Sequence, residues 1–68
     1  MKLYTIHCPK CLILERKLKD RNLPVEFITD KEVIANEGLD LMPVLELDDG
    51  TRLGFGAAVK WVNENYPR

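Results

Sequence analysis

The chain has little of what would mark it as membrane-bound, nucleic-acid-binding or disulfide-stapled. No apolar run approaches the roughly 18 consecutive residues of a membrane span. Ten Lys and Arg stand against eleven Asp and Glu, a formal net charge of -1. That balance leaves no basic footprint for nucleic acid or an anionic bilayer, so neither is expected as a partner. Met1 leads directly into a strand-like run, and no signal peptide is expected. With two cysteines and one histidine, the chain is short of ligands for a four-coordinate structural zinc, and His7, Cys8 and Cys11 are too crowded for a usual set. No metal is therefore expected. Two close cysteines without a targeting signal fit a reducing, cytoplasmic setting better than a secreted disulfide framework. At 68 residues the chain is read as one domain, residues 1–68, near the lower limit for unaided folding and expected to be monomeric.

What is present centres on His7-Cys8-Pro9-Lys10-Cys11. Lys2 to Ile6 alternates and is rich in β-formers, which predicts a strand. From Cys11 the apolar residues Leu14 and Leu18 recur at i+3 and i+7, one face of a helix. The C-x-x-C thus lies where a strand passes into a helix, with Pro9 at the first helical position, where its missing N–H is not needed. The free N–H groups and positive dipole of that first turn favour a thiolate. Cys8 is expected on the exposed side and Cys11 inward beneath it. One sulfur attacks and the second resolves, the minimum apparatus for thiol–disulfide exchange. Lys10, and more weakly His7, are read as positive charge tuning Cys8; the plain alternative for each is a solvated residue of no chemical consequence. A structural staple is the other use of such a pair, but closing so short a loop is worth only about 2 kcal/mol in the chain-entropy model. Redox chemistry stands ahead of staple and metal because the C-x-x-C lies beside a βαβ pattern.

The rest of the chain supplies that pattern. The first helix is predicted from Pro9 to Asp20 or Arg21, with Glu15, Arg16, Lys17, Lys19 and Asp20 toward solvent. At least one of Leu12 and Ile13 is expected in the core; the alternative is an exposed apolar rim beside Cys8. Asn22-Leu23-Pro24 ends the helix, and Val25 to Ile28 reads as a second strand, parallel to the first through a right-handed crossover. Thr29-x-x-Glu32 is a capping box for a short second helix that stops at Gly38. Val44 to Leu47 and Thr51 to Leu53 form a hairpin about Asp48-Asp49-Gly50. Gly54-Phe55-Gly56 is read as a turn before a last helix from Ala57 to Asn65, with Ala58, Trp61, Val62 and Tyr66 inside and Trp61 as a core anchor. The order β-α-β-α-β-β-α is an α/β layered fold, a four-stranded mixed sheet flanked by three helices.

Cys8-Pro9-Lys10-Cys11 after Leu3-Tyr4-Thr5, Met42-Pro43-Val44-Leu45, and Gly54 with Gly56 before a helix together resemble the glutaredoxin-like small redoxins of the thioredoxin superfamily, over nearly the whole chain. The resemblance implies a thioredoxin-like fold and a cis Pro43, with the Met42 backbone pairing with an extended substrate. It also implies Gly54, Phe55 and Gly56 at the substrate site. The chain departs from the family in carrying Lys10 where an aromatic is usual, Ile6 where many members have a glutathione-gripping lysine, and Ala57-Ala58 where an acidic or hydroxyl pair is common. These departures bring it closer to redoxins that accept electrons from a thioredoxin-reductase-type flavoenzyme.

The function expected is a dithiol–disulfide oxidoreductase acting on protein or small-molecule disulfides. No cofactor is expected to be bound, and reducing equivalents come from glutathione or a flavoenzyme. Two other readings are an adaptor that docks partners through Met42, Leu12 and Phe55 without turnover, and a dimer carrying an iron–sulfur cluster or zinc through Cys8.

Overall fold

A computed structural model of the chain describes residues 1–67. The elements are β1 (Lys2–Tyr4), α1 (Pro9–Asp20), β2 (Glu26–Ile28), α2 (Lys31–Asn36), β3 (Val44–Glu46), β4 (Arg52–Leu53) and α3 (Phe55–Asn65). The four strands form one mixed sheet in the order β2-β1-β3-β4. β1 is parallel to β2 and antiparallel to β3, and β3 is antiparallel to β4. This is the α/β arrangement of four strands and three helices that the sequence predicts.

Alternation along the strands divides the sheet into two faces. Leu3 and Leu45, directly opposite each other, join Leu14 and Leu18 of α1 and Ala58 and Val62 of α3 in one fully buried cluster. Tyr4 and Val44, the next pair along, pack with Ile34 of α2 in a second. Helices α1 and α3 therefore share one core and α2 belongs to another. The burial of the larger cluster ties α1, and with it the cysteine motif, to the sheet: each fully buried leucine contributes roughly 1.5–3 kcal/mol.

The helix ends are specified by local chemistry. After α1, Asn22 adopts φ 52°. Its N–H donates to the Lys19 carbonyl at 3.0 Å, while the Leu23 N–H reaches the Leu18 carbonyl at 3.3 Å. This is a Schellman closure with asparagine in the left-handed position. Gly38 (φ 71°) closes α2 in the same way, the Gly38 and Leu39 N–H groups donating to Ala35 and Ile34. The strands are shorter than predicted: Thr5 still donates its N–H to Ile28, but the chain then turns away at His7, a non-glycine residue at φ 60°.

Four expectations are corrected. The cap of α2 is Asp30, whose Oδ1 accepts from the Glu32 N–H at 2.9 Å; Thr29 lies one residue before the capping position. Phe55 and Gly56 belong to α3 and not to a turn, because the Gly54 carbonyl accepts from the Ala58 N–H at 2.8 Å and starts the helix there. Tyr66 is exposed, its ring tilted 56° against that of a half-buried Trp61 with centroids 5.7 Å apart. Neither Leu12 nor Ile13 is in the core: they are 52% and 50% exposed. Cys11, Leu14 and Leu18 occupy the inner face, and positions 12 and 13 are rotated off it.

Candidate functional site

The sheet order brings the candidate residues to one edge. Since β1 and β2 are parallel and β4 runs the same way, the residues after β1 and β4 share an edge with those before the antiparallel β3. Tyr4 opposite Val44 sets Met42 and Pro43 beside the segment that leaves β1. Cys8-Pro9-Lys10-Cys11, Met42-Pro43 and Gly54-Phe55-Gly56 therefore meet there. Loops at the carboxyl ends of strands are where α/β sheets commonly place ligands. The Met42–Pro43 peptide is cis, and Pro43 is fully buried.

Cys8 is the N-cap of α1. Its extended backbone (φ -72°, ψ 167°) aims the sulfur back over the first turn, where Sγ accepts from the Cys11 N–H at 3.3 Å. The Cys8 carbonyl takes the Leu12 N–H at 2.8 Å, and Pro9 sits at the first helical position, with no acidic residue in that turn. A sulfur fills the role that a serine or aspartate oxygen usually has at a helix start. Both cysteines are free; Cys8 is partly exposed and Cys11 wholly buried. Their Sγ atoms are 2.8 Å apart, about 0.8 Å longer than a disulfide bond. Burial is the largest single influence on Cys11 and opposes its thiolate. Hydrogen bonds from Cys8, from the Thr5 hydroxyl and from the backbone at Ile6 and Cys8 together outweigh it and hold Cys11 below the ordinary thiol range.

The remaining predicted residues divide. Lys10 lies with Nζ 5.8 Å from the centroid of the half-buried Phe55 ring, a cation–π contact linking the motif to the start of α3. Gly54 and Gly56 are exposed, and a Cβ on either would meet nothing within 4 Å, so the fold itself does not demand glycine there. His7 lies beside α1. Its exposed ring sets Nδ1 3.1 Å from Glu15 Oε2.

Glu15 is the residue that sequence reasoning places wrongly. The charged pattern of the helix puts it on the solvent face, yet it is 6% exposed, and its Oε2 accepts a hydrogen bond from Thr5 Oγ1 at 2.8 Å. Thr5, itself 0% exposed, also accepts the His7 N–H at 3.2 Å. A signal is present in the spacing: Glu15 follows Cys8 by seven residues and Cys11 by four, which sets all three on one helix face. Among the described residues, no three His, Cys, Asp or Glu side chains gather as a metal set would. No described helix is long and apolar enough to cross a membrane.

Comparison with protein-family models, with curated proteins and with solved structures found no match to this chain.

Proposed function

We propose that the chain is a dithiol–disulfide oxidoreductase of thioredoxin-like fold, with Cys8 as the attacking and Cys11 as the resolving sulfur. The observation that carries this reading is the pairing of a partly exposed sulfur at a helix N-cap with a wholly buried one 2.8 Å behind it. A Cys8 thiolate attacks one sulfur of a substrate disulfide; the substrate S–S bond breaks, and the departing thiolate takes a proton from water. Cys11, as thiolate, then attacks Cys8 Sγ. A second substrate thiolate leaves, and the protein retains the Cys8–Cys11 disulfide. The substrate has gained two electrons, and glutathione or a thioredoxin-reductase-type flavoenzyme returns them to the protein.

Several features support this reading. The Cys11 N–H that donates to Cys8 Sγ at 3.3 Å is placed to donate to that sulfur again when it leaves as the protein is re-reduced. The shared edge with Met42, Pro43 and Phe55 offers a backbone rim along which an extended substrate can pair. Leu12 and Ile13, exposed a few residues beyond Cys8, supply apolar surface that a protein disulfide can cover and a small one cannot.

The test is turnover of a model disulfide with NADPH, supplied once through glutathione and its reductase and once through a thioredoxin-reductase system. One of the two sustains turnover in the wild type. Cys8→Ser abolishes it, and Cys11→Ser accumulates a mixed disulfide with the substrate. Turnover that survives Cys8→Ser, with nothing trapped by Cys11→Ser, removes the assignment of roles.

A further inference from the structure

The formal net charge of -1 conceals an uneven distribution. Residues 9–21 carry five lysines and arginines against two acidic residues, and the remainder of the chain carries five against nine. Of the two acids, Glu15 is buried, so the solvent side of α1 is cationic on an otherwise acidic protein. A groove of about 590 Å³ runs along that side, lined by Leu12, Ile13, Arg16, Lys17, Asp20 and Arg21. Its apolar end, Leu12 and Ile13, lies about one turn past Cys8, and three cations to one carboxylate line the rest. Two of those cations are held by neutral oxygens. Lys17 Nζ donates to Asn63 Oδ1 at 3.2 Å; Arg21 Nε donates to the Tyr66 carbonyl at 2.6 Å, and a terminal guanidinium nitrogen donates to the Lys17 carbonyl at 3.0 Å. Such partners fix a cation in place without cancelling its charge. Among the described residues, ion pairs involve Met1, His7 and Arg52, and no lysine or arginine of α1.

We propose that this groove docks an acidic segment flanking the disulfide of a partner protein, laid extended along α1. This rests on the redox reading of Cys8 and Cys11 and deepens it by naming the chemistry of the partner. The lining residues recur in steps of four, and each step advances about 6 Å along the helix axis. An extended chain advances about 6.7 Å for every two residues and turns alternate side chains to one face. The two repeats therefore stay within about 2 Å of register over three steps. With the partner's sulfur at Cys8, its second residue along meets Leu12 and Ile13, its fourth meets Arg16 and Lys17, and its sixth meets Arg21. The matching pattern is a cysteine followed at alternate positions by one apolar and two acidic residues. Carboxylates there meet cations already held in place, so less side-chain freedom is lost on docking. The positive helix draws such a segment in, and the acidic remainder of the surface turns it away from other faces. A nucleic acid duplex or an anionic bilayer carries the same charge but extends beyond one helix onto that acidic remainder. A short acidic peptide meets the groove alone.

The test uses synthetic peptides of the pattern Cys-Ala-Leu-Ala-Glu-Ala-Glu, the cysteine joined as a mixed disulfide to an aromatic thiol that is coloured when released. The Cys8 thiolate attacks the peptide sulfur, the S–S bond to the aromatic thiol breaks, and that thiolate leaves with the electron pair. The initial rate of colour thus measures attack on the peptide. The groove does not fix chain direction, so each peptide is made in both orders. At about 0.01 M salt the wild type is expected to react about tenfold faster with the better order than with its twin carrying glutamine for glutamate, at about threefold for each exposed ion pair. The ratio falls toward one in about 1 M salt, where the screening length is about 3 Å. A peptide with both glutamates moved one position along turns them to the other face and reacts like the glutamine twin. Arg16 is exposed, so Arg16→Glu changes charge without opening the core. It replaces one attraction by a repulsion and brings the ratio to about one. Lys31→Glu makes the same change of net charge on α2 and leaves the ratio near tenfold. Should Arg16→Glu not fold, Arg16→Gln takes its place, with a ratio of about threefold expected. Equal rates on the glutamate and glutamine peptides in both orders overturn the proposal, as does a ratio unmoved by the change at Arg16 or lowered equally by Lys31→Glu. A moved-acid peptide as fast as the original also overturns it. So does a short DNA strand or an anionic-lipid vesicle that blocks attack on the acidic peptide at the same concentration of negative charge, which assigns the groove to a polyanion. A wild type that releases no colour from any peptide overturns the redox reading itself, whereas colour released at equal rates leaves that reading standing and removes only the acidic partner.

Discussion

Limiting iodoacetamide added to the reduced protein at pH 7.5 should alkylate Cys8 about 100 times faster than Cys11. Two effects oppose each other, and their sizes decide the outcome. The hydrogen bonds that hold Cys11 below the ordinary thiol range raise its thiolate fraction. Complete ionisation gives at most about ten times the thiolate that a free cysteine has at that pH, so this advantage has a ceiling of about tenfold. Access works the other way and is larger. Cys11 and Leu14 are both fully buried on the inner face of α1, so exposing the Cys11 sulfur means lifting the first turn with both from the core. At about 1.5–3 kcal/mol for a leucine, and somewhat less for the smaller cysteine, the opening costs about 4 kcal/mol. That leaves about one molecule in a thousand open. The product of the two factors is about 100-fold in favour of Cys8. The sequence makes the assay direct: trypsin cleaves after Lys10, so Cys8 leaves in the peptide Leu3 to Lys10 and Cys11 in Cys11 to Arg16. Mass spectrometry of the two peptides across a time course gives both rates from one sample. Alkylation of Cys11 within tenfold of Cys8 would mean that the first turn is not docked, and the division into attacking and resolving sulfur would have no structural basis.

Other outcomes follow from the same features. Leu12→Glu and Ile13→Glu should raise KM for a protein disulfide without changing turnover of a small one, and should shift stability by no more than about 0.5 kcal/mol, since both sites are exposed; equal kinetics on both substrates would remove the apolar rim from the docking surface. Because Cys11 ionises more readily in the fold than in the free chain, the reduced protein should gain stability as pH rises from its folded ionisation toward about 9. The gain is about 1.4 kcal/mol for each tenfold by which the fold favours the thiolate, and it is lost as pH falls back through the folded ionisation. Cys11→Ser should show no such rise in urea titrations between pH 6 and 9, and a wild-type curve as flat as the variant's would contradict the bonding around Cys11. Asn22→Ala should cost about 1 kcal/mol in chemical denaturation and Asn22→Gly should not, because only the alanine meets the left-handed backbone penalty there; equal costs would mean that the helix end is set by something other than the αL cap.

Most of the architecture is legible because it rests on short-range signals. Pro9 at the first helical position, the inward spacing of Cys11, Leu14 and Leu18, and Asp-Asp-Gly at the hairpin are each readable within a few residues. The misreadings come where two local options are chemically close or where the partner is distant in sequence. Thr29 and Asp30 are adjacent capping residues, and a pattern of residue types cannot decide which oxygen reaches the Glu32 N–H. Gly54 and Gly56 look like turn residues, yet a helix tolerates glycine in its first turn when the core contacts of Ala58 and Val62 hold the rest in place. Leu12 and Ile13 follow Cys11 in an unbroken apolar run, and hydropathy alone does not divide a run of four between core and surface. The cis form of Met42–Pro43 is expected only from the family resemblance, since composition carries no sign of it.

Glu15 is the instructive case. A glutamate in a charged helix reads as solvent-facing because charged side chains are rarely buried without a partner, and its partners here lie on another element. Thr5 directly follows the first strand, and His7 reaches back where the chain enters a left-handed backbone conformation. The carboxylate, hydroxyl and imidazole therefore depend on the same reversal of direction that delivers Cys8 to the N-terminus of α1. Had the strand run straight into the helix, a hydrophobic residue at position 15 would have packed better than a carboxylate. The abrupt turn at His7 leaves a polar recess beneath the two sulfurs, and Thr5, His7 and Glu15 fill it with hydrogen bonds that leave no buried side-chain nitrogen or oxygen of the described chain unpartnered. Burial of a charge is stable only when it is so satisfied. The backbone geometry that exposes one sulfur and the buried network that faces the other are thus two consequences of one turn in the chain.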